Sequence, residues 1–216
     1  PATRHLPQWK YREARSAQSA REGTAVTEGL FICSRDGLNF HVWQEAFIRP
    51  GLRTKDSWFY GDNYQNWGLV ETKSVLAADA PDELSMYLTE GTLQNGKPGK
   101  LRRYTLRMDG FVSVNAPMTG GRLVTKPIRF KGTRLSINYS SSARGGIRVG
   151  MLDERGAPVQ GFTIEECPWI YGDSLDRTVE WLAGDDITDH VGTYAGKAVR
   201  LVFELKDADL FSFQFQ

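Results

Sequence analysis

Between Leu101 and Gln216 the chain runs as short stretches of alternating apolar and polar residues, cut by Gly and Asp. Gly120-Gly121-Arg122-Leu123-Val124-Thr125-Lys126-Pro127-Ile128 is one such stretch, and the segment from Lys197 to Phe213 holds two more. Side chains that return to the same side at every second residue mark a strand with one buried and one wet face. Several such strands in succession bury their apolar faces by stacking as an antiparallel sandwich. Strands are expected at about 121–130, 133–140, 145–152, 176–182, 197–206 and 208–215, with Gly145-Gly146 as a turn pair. The 22 glycines and the 12% aromatic content suit a β-rich chain with many tight turns.

Composition sets outer limits. A chain of 216 residues holds one large domain or two small ones and can bury a substantial core. Its 27 basic and 26 acidic residues leave a net charge of +1, so no single-sign field marks it as a nucleic-acid binder. No apolar run is long enough for a helix to span a bilayer. Cys33 and Cys167 stand far apart, too few for a disulfide framework, and read as two buried thiols.

The chain divides by composition into three parts: an N-terminal arm over 1–22, a β unit over 23–109 and a sandwich over 110–216. The arm is rich in Arg and helix formers between Trp9 and Arg21 but has no clear apolar stripe, which suits a short helix or a solvated arm. In the middle part, Thr24–Cys33 and Asn39–Trp43 read as two strands joined at Asp36-Gly37, a hairpin signal. Trp67–Thr72, Glu83–Glu90 and Leu101–Arg107 read as three more. Outside the arm, a helical turn is expected only near Ile187-Thr188-Asp189.

The turn Ser34-Arg35-Asp36-Gly37-Leu38-Asn39-Phe40 is similar to the S-x-D-G-x-x-[WF] hairpins of propeller-type glycosidases. Longer strings extend the likeness: Glu45-Ala46-Phe47-Ile48-Arg49-Pro50-Gly51, Tyr64-Gln65-Asn66-Trp67-Gly68, Leu101–Phe111, Val124-Thr125-Lys126-Pro127 and Leu205–Leu210. Together, over most of 22–216, they resemble the C-terminal part of a bacterial family related to glycoside hydrolase family 32. That family pairs a five-bladed β-propeller with a C-terminal β-sandwich. The resemblance implies an all-β chain holding the last one or two blades as a propeller-type meander, then the sandwich. It further implies that most of the propeller lies upstream, and a secreted or periplasmic setting.

The same resemblance directs attention to carboxylates. Family 32 enzymes use a nucleophilic Asp in an N-D-P-N-G-type motif, a stabilising Asp in R-D-P and an acid/base Glu in E-C-P. Glu166-Cys167-Pro168 matches the last by its letters, but no N-D-P-N-G string occurs and Arg35-Asp36-Gly37 lacks the proline. Glycoside hydrolysis needs two carboxylates across the scissile bond, so no catalytic residue is assigned. Whether the chain is an enzyme stays open at this stage.

The better site candidate is a sugar site. Tyr60, Asp62, Asn63, Tyr64 and Trp67 mix aromatic faces that stack on sugar rings with short polar groups that bond hydroxyls. Glu90 at a strand end adds a carboxylate, and Arg49 offers either an anion contact or an inter-blade ion pair. Trp169 and Tyr171 form a second aromatic cluster, inside the sandwich. Asp185, Asp186 and Asp189 offer oxygen ligands for a structural Ca²⁺ or caps for a short helix, and no other cofactor is implied. His5, His41 and His190 are scattered and lack metal-ligand spacing.

Three functions follow: a carbohydrate-active fragment without activity of its own, a non-catalytic carbohydrate-binding sandwich, or a structural sandwich that mediates oligomerisation. Carbohydrate is the expected partner; a second copy of the chain, or the missing propeller region, is the other. The β-only reading is open to direct measurement. Far-ultraviolet circular dichroism should be strand-dominated, with helix below about a fifth of residues against a usual third; a helix-dominated spectrum would overturn it.

Overall fold

The computed structural model describes residues 2–5, 27–51, 63–91, 99–184 and 186–216. The protein is all-β, and among these residues the only helical element is a 3-10 turn at Gly192–Tyr194. The chain separates into two compact units, Pro1–Arg107 and Met108–Gln216.

The first unit carries two three-stranded antiparallel sheets. One is ordered β1 (Ala2–His5), β2 (Thr27–Ser34), β3 (Phe40–Ile48); the other β4 (Val70–Thr72), β5 (Glu83–Glu90), β6 (Lys100–Arg107). β1 lies along the free edge of β2, with Ala2 opposite Leu30 and His5 opposite Thr27. The start of the expected arm is thus a strand; its helix-forming stretch, Trp9–Arg21, is outside the described residues. Ile48, Met86 and Leu88 form a small core, with Phe47, Tyr104 and Leu106 packed against it.

The β2–β3 hairpin turns on Asp36. Its carboxylate accepts from the backbone N–H groups of Leu38 (2.9 Å) and Asn39 (2.7 Å), from the Asn39 amide and from the Ser34 hydroxyl. The Ser34 Oγ in turn accepts from the Gly37 N–H at 2.9 Å, and Gly37 supplies a positive φ of 73°. These donors, Asn39 foremost, hold the Asp36 carboxyl well below the usual carboxylate range. A depressed pKa stabilises the turn above the ordinary carboxylate range. That support is lost as pH falls through the folded-state value.

The second unit is built around one long two-stranded ribbon. β9 (Leu135–Asp153) and β13 (Val199–Phe215) pair antiparallel from Val199 opposite Asp153 to Phe215 opposite Leu135. Phe203 and Phe213 are ten positions apart on β13, which spans about 33 Å in an extended strand. Their ring centroids lie 5.6 Å apart. The ribbon therefore folds back on itself, at Asp207 (φ 42°) on β13 and at Gly145 on β9. A Cβ at Gly145 would fall 2.4 Å from the carbonyl oxygens of both Lys206 and Asp207, so only glycine fits the inside of the bend.

Folding the ribbon makes two layers. One holds the C-terminal half of β9, the N-terminal half of β13 and β8 (Gly121–Val124); the other holds β10 (Asp173–Thr178), the N-terminal half of β9, the C-terminal half of β13 and β7 (Val114–Ala116). Leu135, Ile137 and Tyr139 from one half of β9 meet Ile147, Val149 and Met151 from the other in a single core. On β13 the inward residues are Val199, Leu201, Phe203 and Leu205, then Ala208 and Leu210; Phe213 and Phe215, farther along, pack against the same core. The phase slips by one residue at each of two bulges, between Lys206 and Ala208 and between Leu210 and Ser212. Each slip keeps apolar side chains inside while the strand turns.

The segment 155–172 covers the outer edge of the C-terminal half of β9. Backbone bonds join Met151 to Val159 and Phe162, and Ile147 to Ile170 in both directions. Between those contacts the Val149 carbonyl is satisfied by the Trp181 indole N–H at 2.8 Å, and Trp181 is fully buried. Trp181 belongs to the hairpin of β11 (Trp181–Ala183) and β12 (Asp186–Thr188).

Several expected elements are corrected. The strands at 133–140 and 145–152 are one strand, as are those at 197–206 and 208–215, because the ladder continues through the bulges. Gly145-Gly146 is no turn and lies within β9. The strand at 176–182 is two, since β10 ends at Thr178 and β11 starts at Trp181. The helical turn near Ile187 is β12, held by pairing with β11. The bend is testable: Gly145→Ala should cost about 1–3 kcal/mol and lower the melting temperature by roughly 5–15 °C. An unchanged melting curve would show that the fold-back does not depend on the missing side chain.

Candidate functional site

The sequence-predicted cluster in the first unit is spread along β5. Asp62 and Tyr60 lie outside the described residues. Asn63 and Tyr64 pair with Thr89, and Asn66 with Tyr87, so the segment 63–66 extends the edge of β5 where β4 stops. Asn63 is buried in a left-handed conformation (φ 67°), while Tyr64 is half-exposed and Trp67 projects fully into solvent. Glu90 is engaged: its carboxylate accepts from the Tyr104 hydroxyl and pairs with Arg102 Nε at 2.6 Å. Arg49 follows the end of β3 in the other sheet and pairs with the buried Glu28 at 3.3 Å. Asn63, Tyr64 and Glu90 thus share one strand edge, Trp67 stands beyond them, and Arg49 is occupied elsewhere.

Glu166-Cys167-Pro168 is a structural turn. The Glu166 carboxylate accepts from the Thr163 N–H at 2.8 Å, and the Thr163 hydroxyl accepts from the Glu166 N–H at 3.3 Å, a reciprocal pair that fixes the chain. Cys167 is buried in the core, and burial pushes its thiol up to about 11. Asp189 pairs with Arg134 at 2.7 Å, Asp185 is outside the described residues, and no group of three or more potential metal ligands comes together among those described.

The second aromatic cluster is organised differently. Pro168–Gly172 runs along β9 as an extra edge segment, bonded through Ile170 to Ile147 and through Gly172 to Ser141. Strand periodicity then sends Ile170 into the core and Trp169 and Tyr171 outward together. Trp169 is 43% exposed and Tyr171 71%. The Tyr139 hydroxyl fixes this segment from below by donating to the Tyr171 carbonyl at 2.7 Å.

Trp169 has a prepared seat. A Cβ at Gly146 would lie 3.0 Å from the Ile170 carbonyl oxygen and 3.2 Å from the Trp169 ring, so a glycine there leaves room for both the edge segment and its indole. Arg148, two residues along, places its guanidinium 4.6 Å from the ring centroid. Arg148 is held by Glu204 across the ladder at 2.7 Å. The indole is thereby fixed in one orientation with part of its surface open.

Two concavities flank this pair of rings. The larger, about 470 Å³, is bounded by Tyr139, Trp169, Tyr171, Asp173, Arg177 and Glu180 among others. The smaller, about 270 Å³, is bounded by Ala143, Arg144, Gly145, Trp169, Tyr171 and Lys206. Both are open, aromatic-walled and edged with hydrogen-bonding side chains, which suits stacking and hydroxyl recognition. Sequence reading singled out Trp169 and Tyr171 but missed the polar residues around them. Arg144 and Lys206 lie in different strands and are brought alongside by the ladder, in which Lys206 stands opposite Gly146. Comparison with protein-family models, curated proteins and solved structures finds no match.

Thiol chemistry separates the two cysteines. Cys167 is buried, but Cys33, read from the sequence as a second buried thiol, is exposed. At pH 8 iodoacetamide should alkylate Cys33 and spare Cys167 in the native protein, and modify both after denaturation, as read by peptide mass spectrometry. Native labelling of Cys167 at a comparable rate would contradict its burial in the core.

Proposed function

We propose that the second unit is a non-catalytic carbohydrate-binding module that takes a glycan along the groove at Trp169 and Tyr171. The observation that carries this reading is the outward pair of rings, one of them locked between Gly146 and Arg148, with a polar-edged concavity on either side. A preset aromatic surface costs little ordering when a sugar ring stacks on it. The open groove admits an extended chain rather than enclosing a single small molecule.

The absence of hydrolysis in this reading follows from the residues. Glu166, the one letter-match to a glycosidase acid, is tied into its turn by Thr163, and no paired carboxylate is assigned beside it. The wider context we propose is the sugar-recognising tail of a glycosidase-like propeller protein, secreted or periplasmic; its support is the sequence strings and the Asp36 hairpin. A second reading puts the sugar at Tyr64 and Trp67, favoured by the full exposure of the Trp67 ring.

Binding should be weak, on the order of millimolar, or about 4 kcal/mol. In chemical-shift titrations with a panel of oligosaccharides, Trp169→Ala should weaken binding about tenfold or more, as loss of a central aromatic contact does. Trp67→Ala should leave it unchanged. Loss of binding in the Trp67 variant alone would move the site to the first unit.

A further inference from the structure

The two concavities differ in charge. The larger mixes signs: Asp173 and Glu180 stand with Arg177, whose guanidinium lies 3.8 Å from the Glu180 carboxylate. The smaller is bounded by two cations, Arg144 and Lys206, and no carboxylate lines it. Both residues are exposed, and among the described residues neither side chain has an ion-pair partner. Glu204, one step along the same face of β13 from Lys206, has its carboxylate taken by Arg148. Lys206 stands directly opposite Gly146, the glycine under the Trp169 ring. Two unneutralised cations are thus held beside an aromatic platform by the pairing of β9 with β13.

Like charges brought together repel one another, and a bound anion relieves that repulsion while making charge-assisted hydrogen bonds. An anion on a sugar stacked against Trp169 meets both needs at once. We propose that the smaller concavity is an anion subsite of the groove, and that the ligand is an acidic glycan carrying a uronate carboxylate or a sulfate ester between Arg144 and Lys206. This rests on the sugar-binding reading of Trp169 and Tyr171. The mixed-charge concavity on the other side of Trp169 then takes the neighbouring sugar through its hydroxyls.

The test is titration followed by NMR, with two matched pairs of probes. Oligogalacturonate is compared with its carboxyl-reduced form, and sulfated dextran oligosaccharide with unsulfated dextran. At least one charged probe should bind about five- to tenfold more tightly than its neutral counterpart, the size of one or two charge-assisted contacts at an exposed site. Arg144→Gln with Lys206→Gln, both surface changes, should erase that preference, so that the double variant binds the charged and neutral members of each pair equally. Raising salt from about 0.01 M to about 1 M should erode the preference as the screening length shrinks from about 30 Å to about 3 Å. The preferred pair distinguishes carboxylate from sulfate.

If charged and neutral probes bind equally and the double variant changes nothing, the anion subsite is wrong while the sugar groove stands. If charged probes bind but Trp169→Ala has no effect, the cations hold anions without a sugar platform and the groove reading fails. If no probe binds, both fall.

Discussion

The second unit depends on one fold in a ribbon. β9 and β13 are a single antiparallel pair long enough to span the unit twice, and they do so because Gly145 lets the strand close against the carbonyls of Lys206 and Asp207. Without the fold, one sheet would expose Ile137, Ile147, Phe203 and Leu210 on one face. With it, the two halves of each strand cover each other and their apolar faces meet in one core. The other strands, β7, β8 and β10, add width to layers that the ribbon has already defined. The Trp181 indole then serves the edge, supplying the donor that Val149 lacks where the covering segment swings away.

Period-2 patterning was enough to read the class of fold, and the physics of the bend explains where it stopped. A bulge shifts the inward phase by one residue, and so does a turn followed by a new strand. Around Asp207 the two look alike in sequence: Leu205 and Ala208 both point inward, with Lys206 and Asp207 between them. Only the ladder, which passes through from Lys206 opposite Gly146 to Ala208 opposite Ser141, separates them. A glycine pair has the same ambiguity. Gly145-Gly146 carries the letters of a turn, yet its two members answer two close approaches, one to the β13 backbone and one to the Ile170 carbonyl and the Trp169 indole.

Of the candidate groove only the aromatic pair was legible, and sequence reading ranked it behind the cluster from Tyr60 to Trp67. Aromatic residues two apart in a segment such as Trp169-Ile170-Tyr171 read directly as outward neighbours once the segment is known to run as a strand. The polar residues beside them come from β9, β10 and β13, so no spacing in the chain announces them. Glu166-Cys167-Pro168 shows the opposite hazard. Its letters suggest chemistry, but a carboxylate bonded to the backbone three residues away and a thiol sealed in the core are the marks of a turn that anchors Trp169.

Fold and groove therefore share their cause. Gly145 permits the bend, and the same ladder sets Arg144 beside Lys206; Gly146, its neighbour, gives the Trp169 ring its seat. A larger residue at 145 would crowd the carbonyls of Lys206 and Asp207, whereas one at 146 would press on the Ile170 carbonyl and the indole. Adjacent glycines thus answer different neighbours, the bend of β13 at one position and the edge segment with its ring at the next. The groove lies on the surface of the same corner whose inside is packed. There an open, shallow surface fixes the orientation of an aromatic ring, through Gly146 and Arg148 beneath and beside it, without enclosing it.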